Sequence, residues 1–170
     1  MRAVFALLAL LALSACGLSP MYAGATGVGV AQGIAAIDVP AIPGRGGWLV
    51  KNALDDRLGV ARNGAEQAAP LYRLDVRLDD SLEALGVLND DTISRERRIL
   101  RARYQLVELA TGSVLLDATA GSDAGIDVVS SEYATIAAEQ KALENLALDV
   151  ADRIATQVAV TLRNRAAPAQ

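Results

Sequence analysis

The sequence predicts an α+β domain, a two-layer sandwich in which two helices pack on one face of a mostly antiparallel four-stranded sheet. Three observations lead there. Residues 71–82 and 92–109 alternate apolar and polar side chains with the period of a strand. From Ile136 to Leu162, apolar residues recur every three or four positions, as on one face of a helix. The order strand, helix, three strands, helix then leaves two amphipathic helices to cover the apolar face of a single sheet.

The elements follow in order. Ile34 to Val39 is a short apolar run closed by Pro40 and Pro43 and by the turn Gly44-Arg45-Gly46-Gly47, which predicts a first strand. Trp48, Leu49, Val50, Ala53, Leu54 and Leu58 recur at helical spacing up to Gly59 and predict a helix with Trp48 as a core anchor. In the next strand Tyr72, Leu74, Val76, Leu78 and Leu82 share one side, and Arg73, Asp75, Arg77, Asp79 and Ser81 the other. After the Asn89-Asp90-Asp91 turn, Leu100, Ala102, Tyr104 and Leu106 oppose Arg95, Arg97, Arg101, Arg103 and Gln105, which completes a long hairpin. Thr111-Gly112-Ser113 turns into a strand over Val114 to Ala120, and Gly121 to Ser131 reads as a polar loop. Ser130, Ser131 or Thr135 caps the last helix, which suits Arg163 and Arg165 at its C-terminal end.

The N-terminus has a different character. Arg2 precedes the apolar stretch Ala3 to Leu13, and Leu13-Ser14-Ala15-Cys16 sets the chain's single cysteine behind small residues. The pattern resembles a bacterial lipoprotein signal. It implies removal of residues 1–15, acyl chains on Cys16, and a membrane tether without a transmembrane helix, since a span needs ~20 apolar residues. Residues 16–33, rich in Gly and Ala, read as a leash, 34–162 as a single domain and 163–170 as a disordered tail.

Composition narrows the chemistry. The formal charge is −4, which points away from a nucleic-acid partner. There is no histidine, and the lone cysteine is assigned to lipid, so no zinc or other metal site and no cofactor is expected. Asp55-Asp56, Asp79-Asp80 and Asp90-Asp91 lack calcium-loop spacing, and no nucleophile with a positioned base stands out. The chain is therefore expected not to be an enzyme.

The arginines are the remaining candidates. Arg95, Arg97, Arg101 and Arg103 share parity on one strand. A register that sets apolar residues opposite one another places Asp75 and Arg77 across from Arg103 and Arg101, with Glu83 near Arg95. Near the hairpin tip, Arg95, Arg97 and the opposite-facing Arg98 have only Glu83 and Glu96 as obvious partners, which leaves an uncompensated cluster able to bind phosphate or carboxylate bidentately.

Cys16-Gly17-Leu18-Ser19-Pro20-Met21-Tyr22, together with Ser131-Glu132-Tyr133-Ala134-Thr135 and the helix after it, resembles the LptE-type lipopolysaccharide-assembly lipoproteins, particularly alphaproteobacterial ones. The resemblance implies a non-enzymatic outer-membrane lipoprotein, anchored on the periplasmic side, that acts as plug and assembly partner of an LptD-like β-barrel and binds lipopolysaccharide or another anionic glycolipid. It makes Arg95, Arg97, Arg98 and Arg101 candidate ligand contacts. A scaffold or adaptor lipoprotein for another β-barrel or envelope complex is the alternative that the same features would serve.

Overall fold

The computed structural model of the chain describes residue 34 and residues 36–59, 69–85 and 94–166. The order is β1 (Ile37–Asp38), α1 (Gly44–Gly59), β2 (Tyr72–Ala84), β3 (Arg95–Glu108), β4 (Val114–Asp127) and α2 (Glu132–Ala166). The four strands form one sheet in the order β1-β2-β3-β4. β1 runs parallel to β2, and the other neighbours are antiparallel. Both helices pack on the same face, so the α+β sandwich expected from the alternation is the observed fold.

Alternation decides the layers. On β2 and β3, Leu74, Leu100, Ala102, Tyr104 and Leu106 are buried, while the odd-numbered Arg73, Arg95, Arg101 and Arg103 are exposed. The helices close over the apolar side. α1 contributes Val50, Ala53, Leu54 and Leu58; α2 contributes Leu143, Leu146, Val150, Ile154, Val158 and Leu162. Arg57 of α1 hydrogen-bonds Asp152 of α2 and the carbonyl of Ala53, tying the two helices side by side. α2 has 35 residues and, at about 1.5 Å of rise each, spans roughly 50 Å, enough to run the length of the hairpin. Among the described residues, no helix is long and apolar enough to cross a membrane.

Several boundaries differ from those expected. β1 keeps two residues of the run from Ile34 to Val39, because Pro40 has no N–H with which to continue a ladder. α1 starts at Gly44, so the glycine run is its first turn rather than a turn before it. Close packing explains the glycine at 47, where a Cβ would stand 2.4 Å from the carbonyl oxygen of Ile42. With the helix begun there, the buried stripe passes through Gly46, Gly47, Val50 and Leu54, and Trp48 falls outside it. Trp48 is 62% exposed and is not a core anchor.

β4 continues to Asp127, through residues expected to form a loop. The polar-apolar alternation persists there, with Asp117, Thr119, Asp123 and Asp127 on one side and Leu116, Ala118, Ala120 and Ile126 on the other. The hairpin register differs by two residues from that expected and keeps every side chain on its face. Asp75 lies opposite Gln105, Arg77 opposite Arg103, Asp79 opposite Arg101 and Glu83 opposite Arg97.

Local hydrogen bonds set the ends. At the β3–β4 turn, Gly112 adopts φ +69°, the left-handed region a side chain disfavours. Ser131 caps α2, its Oγ accepting from the N–H of Ala134 at 3.4 Å, while Thr135 Oγ1 accepts from the N–H of Val129 at 3.4 Å. Residues 163–166, expected to belong to the tail, are the last turn of α2, which runs to Ala166, and Arg165 donates to Glu108 at 2.9 Å beside the β3–β4 turn.

Three substitutions test this packing by chemical denaturation. Ile154→Ala, at a fully buried position on the core-facing stripe of α2, is expected to cost about 2–5 kcal/mol. Gly47→Ala is expected to cost about 1–3 kcal/mol by overpacking, whereas Gly59→Ala, with open space around it, is expected to be nearly neutral. Equal effects at the two glycines would contradict the close approach at Ile42.

Candidate functional site

The helix-free face of the sheet is built from charged rows. β3 contributes Arg95, Arg97, Arg101 and Arg103; β4 contributes Asp117, Asp123 and Asp127; β2 alternates Arg73, Asp75, Arg77 and Asp79. A basic central strand is thus flanked on both sides by acids, an arrangement that follows from parity and register alone.

The pairing is uneven along that strand. Arg103 meets Asp117 at 3.1 and 3.3 Å, and Gln105 donates to the same carboxylate at 2.8 Å. These bonds, Arg103 first and then Gln105, hold the Asp117 carboxyl below its ordinary pKa. Arg95 reaches Asp127 at 3.3 Å and Arg97 reaches Asp123 at 3.7 Å. The tip arginines are therefore not uncompensated, as the sequence suggested. Their partners come from the half of β4 that was expected to be loop. Asp75 is held by Arg73 at 3.0 Å rather than by Arg103.

Arg98 occupies a different place. It lies on the helix-facing side, where it holds Asp80 bidentately at 2.7 and 2.8 Å and donates to the Glu139 carbonyl of α2 at 3.2 Å. The hydrogen bonds to Asp80 raise the pKa of the Arg98 guanidinium above its ordinary value. This side chain joins β2, β3 and α2 where the apolar layer thins out. Asp80, which the sequence reading set aside with Asp79 as a solvated carboxylate pair, shares the even parity of Leu78 and Leu82; a carboxylate there announced a basic partner on the neighbouring strand.

Arg101 and Arg77 differ from the rest. Neither makes an ion pair or hydrogen bond among the described residues, and both line an open groove of about 440 Å³ with Asp79, Arg103, Thr119 and Gly121. Gly121 stands opposite Arg101, and the site a Cβ would take there is 3.3 Å from Arg101 Cγ. A second groove of about 560 Å³ shares Arg77 and Arg103 and continues past Asp75 to Pro40. Two guanidinium groups without carboxylate partners, facing an open depression, can form bidentate hydrogen bonds with phosphate or carboxylate oxygens. Cys16, the leader, the leash and the Asn89-Asp90-Asp91 tip lie outside the described residues.

Residues 34–158 match the family model described as LptE, lipopolysaccharide-assembly. The chain belongs to the LptE family. Solved structures share its fold. A candidate lipoprotein from Caulobacter crescentus CB15 is 26% identical, with TM-score 0.63 over 79% of this chain and 96% of that one. The rare lipoprotein B of Shewanella oneidensis is 12% identical, with TM-score 0.56 over 76% and 97%. A minor lipoprotein of Acinetobacter baumannii is 18% identical, with TM-score 0.53 over 76% and 93%. Among curated proteins, none matches the chain. The LptE-family match spans β1 through most of α2, and so includes the whole charged sheet face.

Two measurements separate the structural arginines of this LptE-family domain from the uncommitted ones. Arg98→Ala strands Asp80 and is expected to cost about 1–3 kcal/mol by chemical denaturation, whereas Arg101→Ala should stay within about 0.5 kcal/mol of the unchanged chain. Similar losses for the two would contradict the distinction. The pH dependence follows from depressed carboxyl groups. Asp152 beside Arg57, Asp117 beside Arg103, and Glu108, which accepts from Thr111 and meets Arg165, all lie below their ordinary values. The unfolded chain then binds protons first on acidification, so their stabilisation is complete above the ordinary carboxyl range and is lost as pH falls through the folded-state values. With no histidine in the chain, the melting temperature should be flat from about pH 8 to 6 and fall below about pH 4.5.

Proposed function

We propose that this LptE-family protein is a lipid-anchored, non-enzymatic component of the outer-membrane lipopolysaccharide translocon, held on the periplasmic side through Cys16. In this reading it is the plug and assembly partner of an LptD-like β-barrel, and the charged sheet face contacts lipopolysaccharide. The observation that carries the ligand assignment is the pair of guanidinium groups, Arg77 and Arg101, left without carboxylate partners beside an open groove in a family of lipopolysaccharide-assembly proteins.

The four arginines singled out in the sequence take different parts in this proposal. Arg101 engages a phosphate or carboxylate of the glycolipid directly, with Arg77 beside it. Arg95 and Arg97 add contacts by exchanging Asp127 and Asp123 for the ligand, a cheap exchange because exposed ion pairs contribute about 0–1 kcal/mol each. Arg98 is a positioning residue that holds β3 against α2.

A second reading, a scaffold or adaptor for another envelope complex, draws on the acidic flanks of the same face. A charge-balanced surface of this kind also suits polar contacts with protein.

Titration of purified lipopolysaccharide into the detergent-solubilised full chain distinguishes them. Arg101→Ala is expected to weaken binding about tenfold, the combined Arg77→Ala, Arg101→Ala variant further, and added salt to weaken the unchanged chain. Binding that is undetectable, or equally strong in the double variant, would remove the assignment and favour the scaffold. Cys16→Ala should release the protein from the membrane fraction; retention would overturn the anchor.

A further inference from the structure

Among the described residues, the β2 edge of the sheet is open over most of its length. β1 pairs with it through Ile37 and Asp38, opposite Tyr72 and Arg73. Among the described residues, no strand lies against β2 beyond that point. The hydrogen bonds show which backbone groups remain. The N–H of Leu85 donates to the Arg95 carbonyl at 2.7 Å, and the N–H of Leu109 donates to that of Leu71 at 2.9 Å. Both belong to the register that sets Asp75 opposite Gln105. Hydrogen-bonded pairs recur at every second residue of an antiparallel ladder, so odd-numbered residues of β2 bond to β3 and even-numbered residues turn outward. Tyr72 obeys this, its N–H donating outward to the Ala36 carbonyl at 3.1 Å. Leu78, Asp80, Leu82 and Ala84 therefore offer a continuous row of backbone donors and acceptors. The opposite edge is blocked at its centre, where Arg153 of α2 donates to the Gly121 carbonyl of β4 at 2.7 Å.

We propose that this row is a docking edge for an extended segment of a partner polypeptide, which joins the sheet as an additional strand and alternates apolar residues with Lys or Arg. In such additions the main chain supplies affinity and alternate side chains supply specificity. The charge requirement comes from the helix-free face, where Asp79 and Glu83 are exposed and make no ion pair or hydrogen bond among the described residues. The apolar requirement comes from the other face. Leu82 is 46% exposed there and Leu78 half-buried, while Asp80 is already neutralised by Arg98. The first turn of α1 borders this side, since a Cβ on Gly46 would lie 3.9 Å from the Asp80 carboxylate. A second copy of the chain is a poor occupant in the register that overlaps the whole row. Antiparallel pairing of two β2 edges about Ser81 would set Asp79 opposite Glu83 twice, and like charges directly opposite are destabilising. The inference does not depend on glycolipid binding at Arg77 and Arg101.

The test is amide hydrogen exchange, followed by NMR on the full chain in detergent, with a synthetic Val-Lys repeat peptide as probe and a Val-Glu repeat as control. Exchange at Leu78, Asp80 and Leu82 is expected to slow about tenfold or more with the Val-Lys peptide, with odd-numbered residues unchanged and the Val-Glu peptide inactive. Leu82→Pro removes one outward donor, leaves the β2–β3 bonds in place, and is expected to weaken the peptide at least about tenfold. Asp79→Lys combined with Glu83→Lys should reverse the preference to Val-Glu. No slowing at even positions, or undiminished binding to Leu82→Pro, would overturn the proposal. So would protection of those amides before peptide is added, because the edge would then be filled by the chain itself or, if protection grows with concentration, by a second copy.

Discussion

The parity of β3 is the constraint on which the rest of the structure depends. This strand is paired on both sides, so neither of its faces can be adjusted independently. Leu100, Ala102, Tyr104 and Leu106 must lie under the helices, and that obliges Arg95, Arg97, Arg101 and Arg103 to face away from them. A slip of one residue would bury the arginine row and expose the core, which is why the register is strongly specified. The acidic residues of β2 and β4 then stand beside the arginines because they share parity with positions already fixed. Fold and charged face are consequences of one alternation.

The same alternation explains how much was legible in the residues. β3, β2 and the stripe of α2 from Leu143 to Leu162 are strongly amphipathic, and their faces followed directly. The second half of β4 did not, because Gly121, Ser122, Ala124 and Gly125 carry little hydrophobic contrast. That one boundary hid Asp123 and Asp127 and made Arg95 and Arg97 look unpaired. The hairpin register missed by two residues for a related reason: a shift of two preserves both faces, so hydrophobic pattern alone cannot distinguish the alternatives. Trp48 was misplaced because a glycine run reads as a turn, whereas tight packing against Ile42 makes it the start of α1.

The charged face combines fixed and exchangeable parts. Arg98 is partly shielded, bidentate and bonded to a backbone carbonyl, and behaves as a structural joint. Arg95 and Arg97 sit in open solvent on long ion pairs, where water and salt leave little net attraction. Arg77 and Arg101 are uncommitted from the outset. The proposed capture and release of an anionic amphiphile on this face would be served by guanidinium groups whose resting partners are weak. The proposed lipid tether would supply proximity to the membrane without a membrane-crossing helix, of which there is none among the described residues.

The most direct measurement is gentle detergent extraction of the tagged, full-length lipoprotein from its native membrane, with the stoichiometry of every co-purifying chain determined. The account predicts recovery of one large outer-membrane β-barrel of the LptD type in equal amount, stable through size-exclusion chromatography. Recovery of the lipoprotein alone, or with an unrelated partner in place of the barrel, would contradict it.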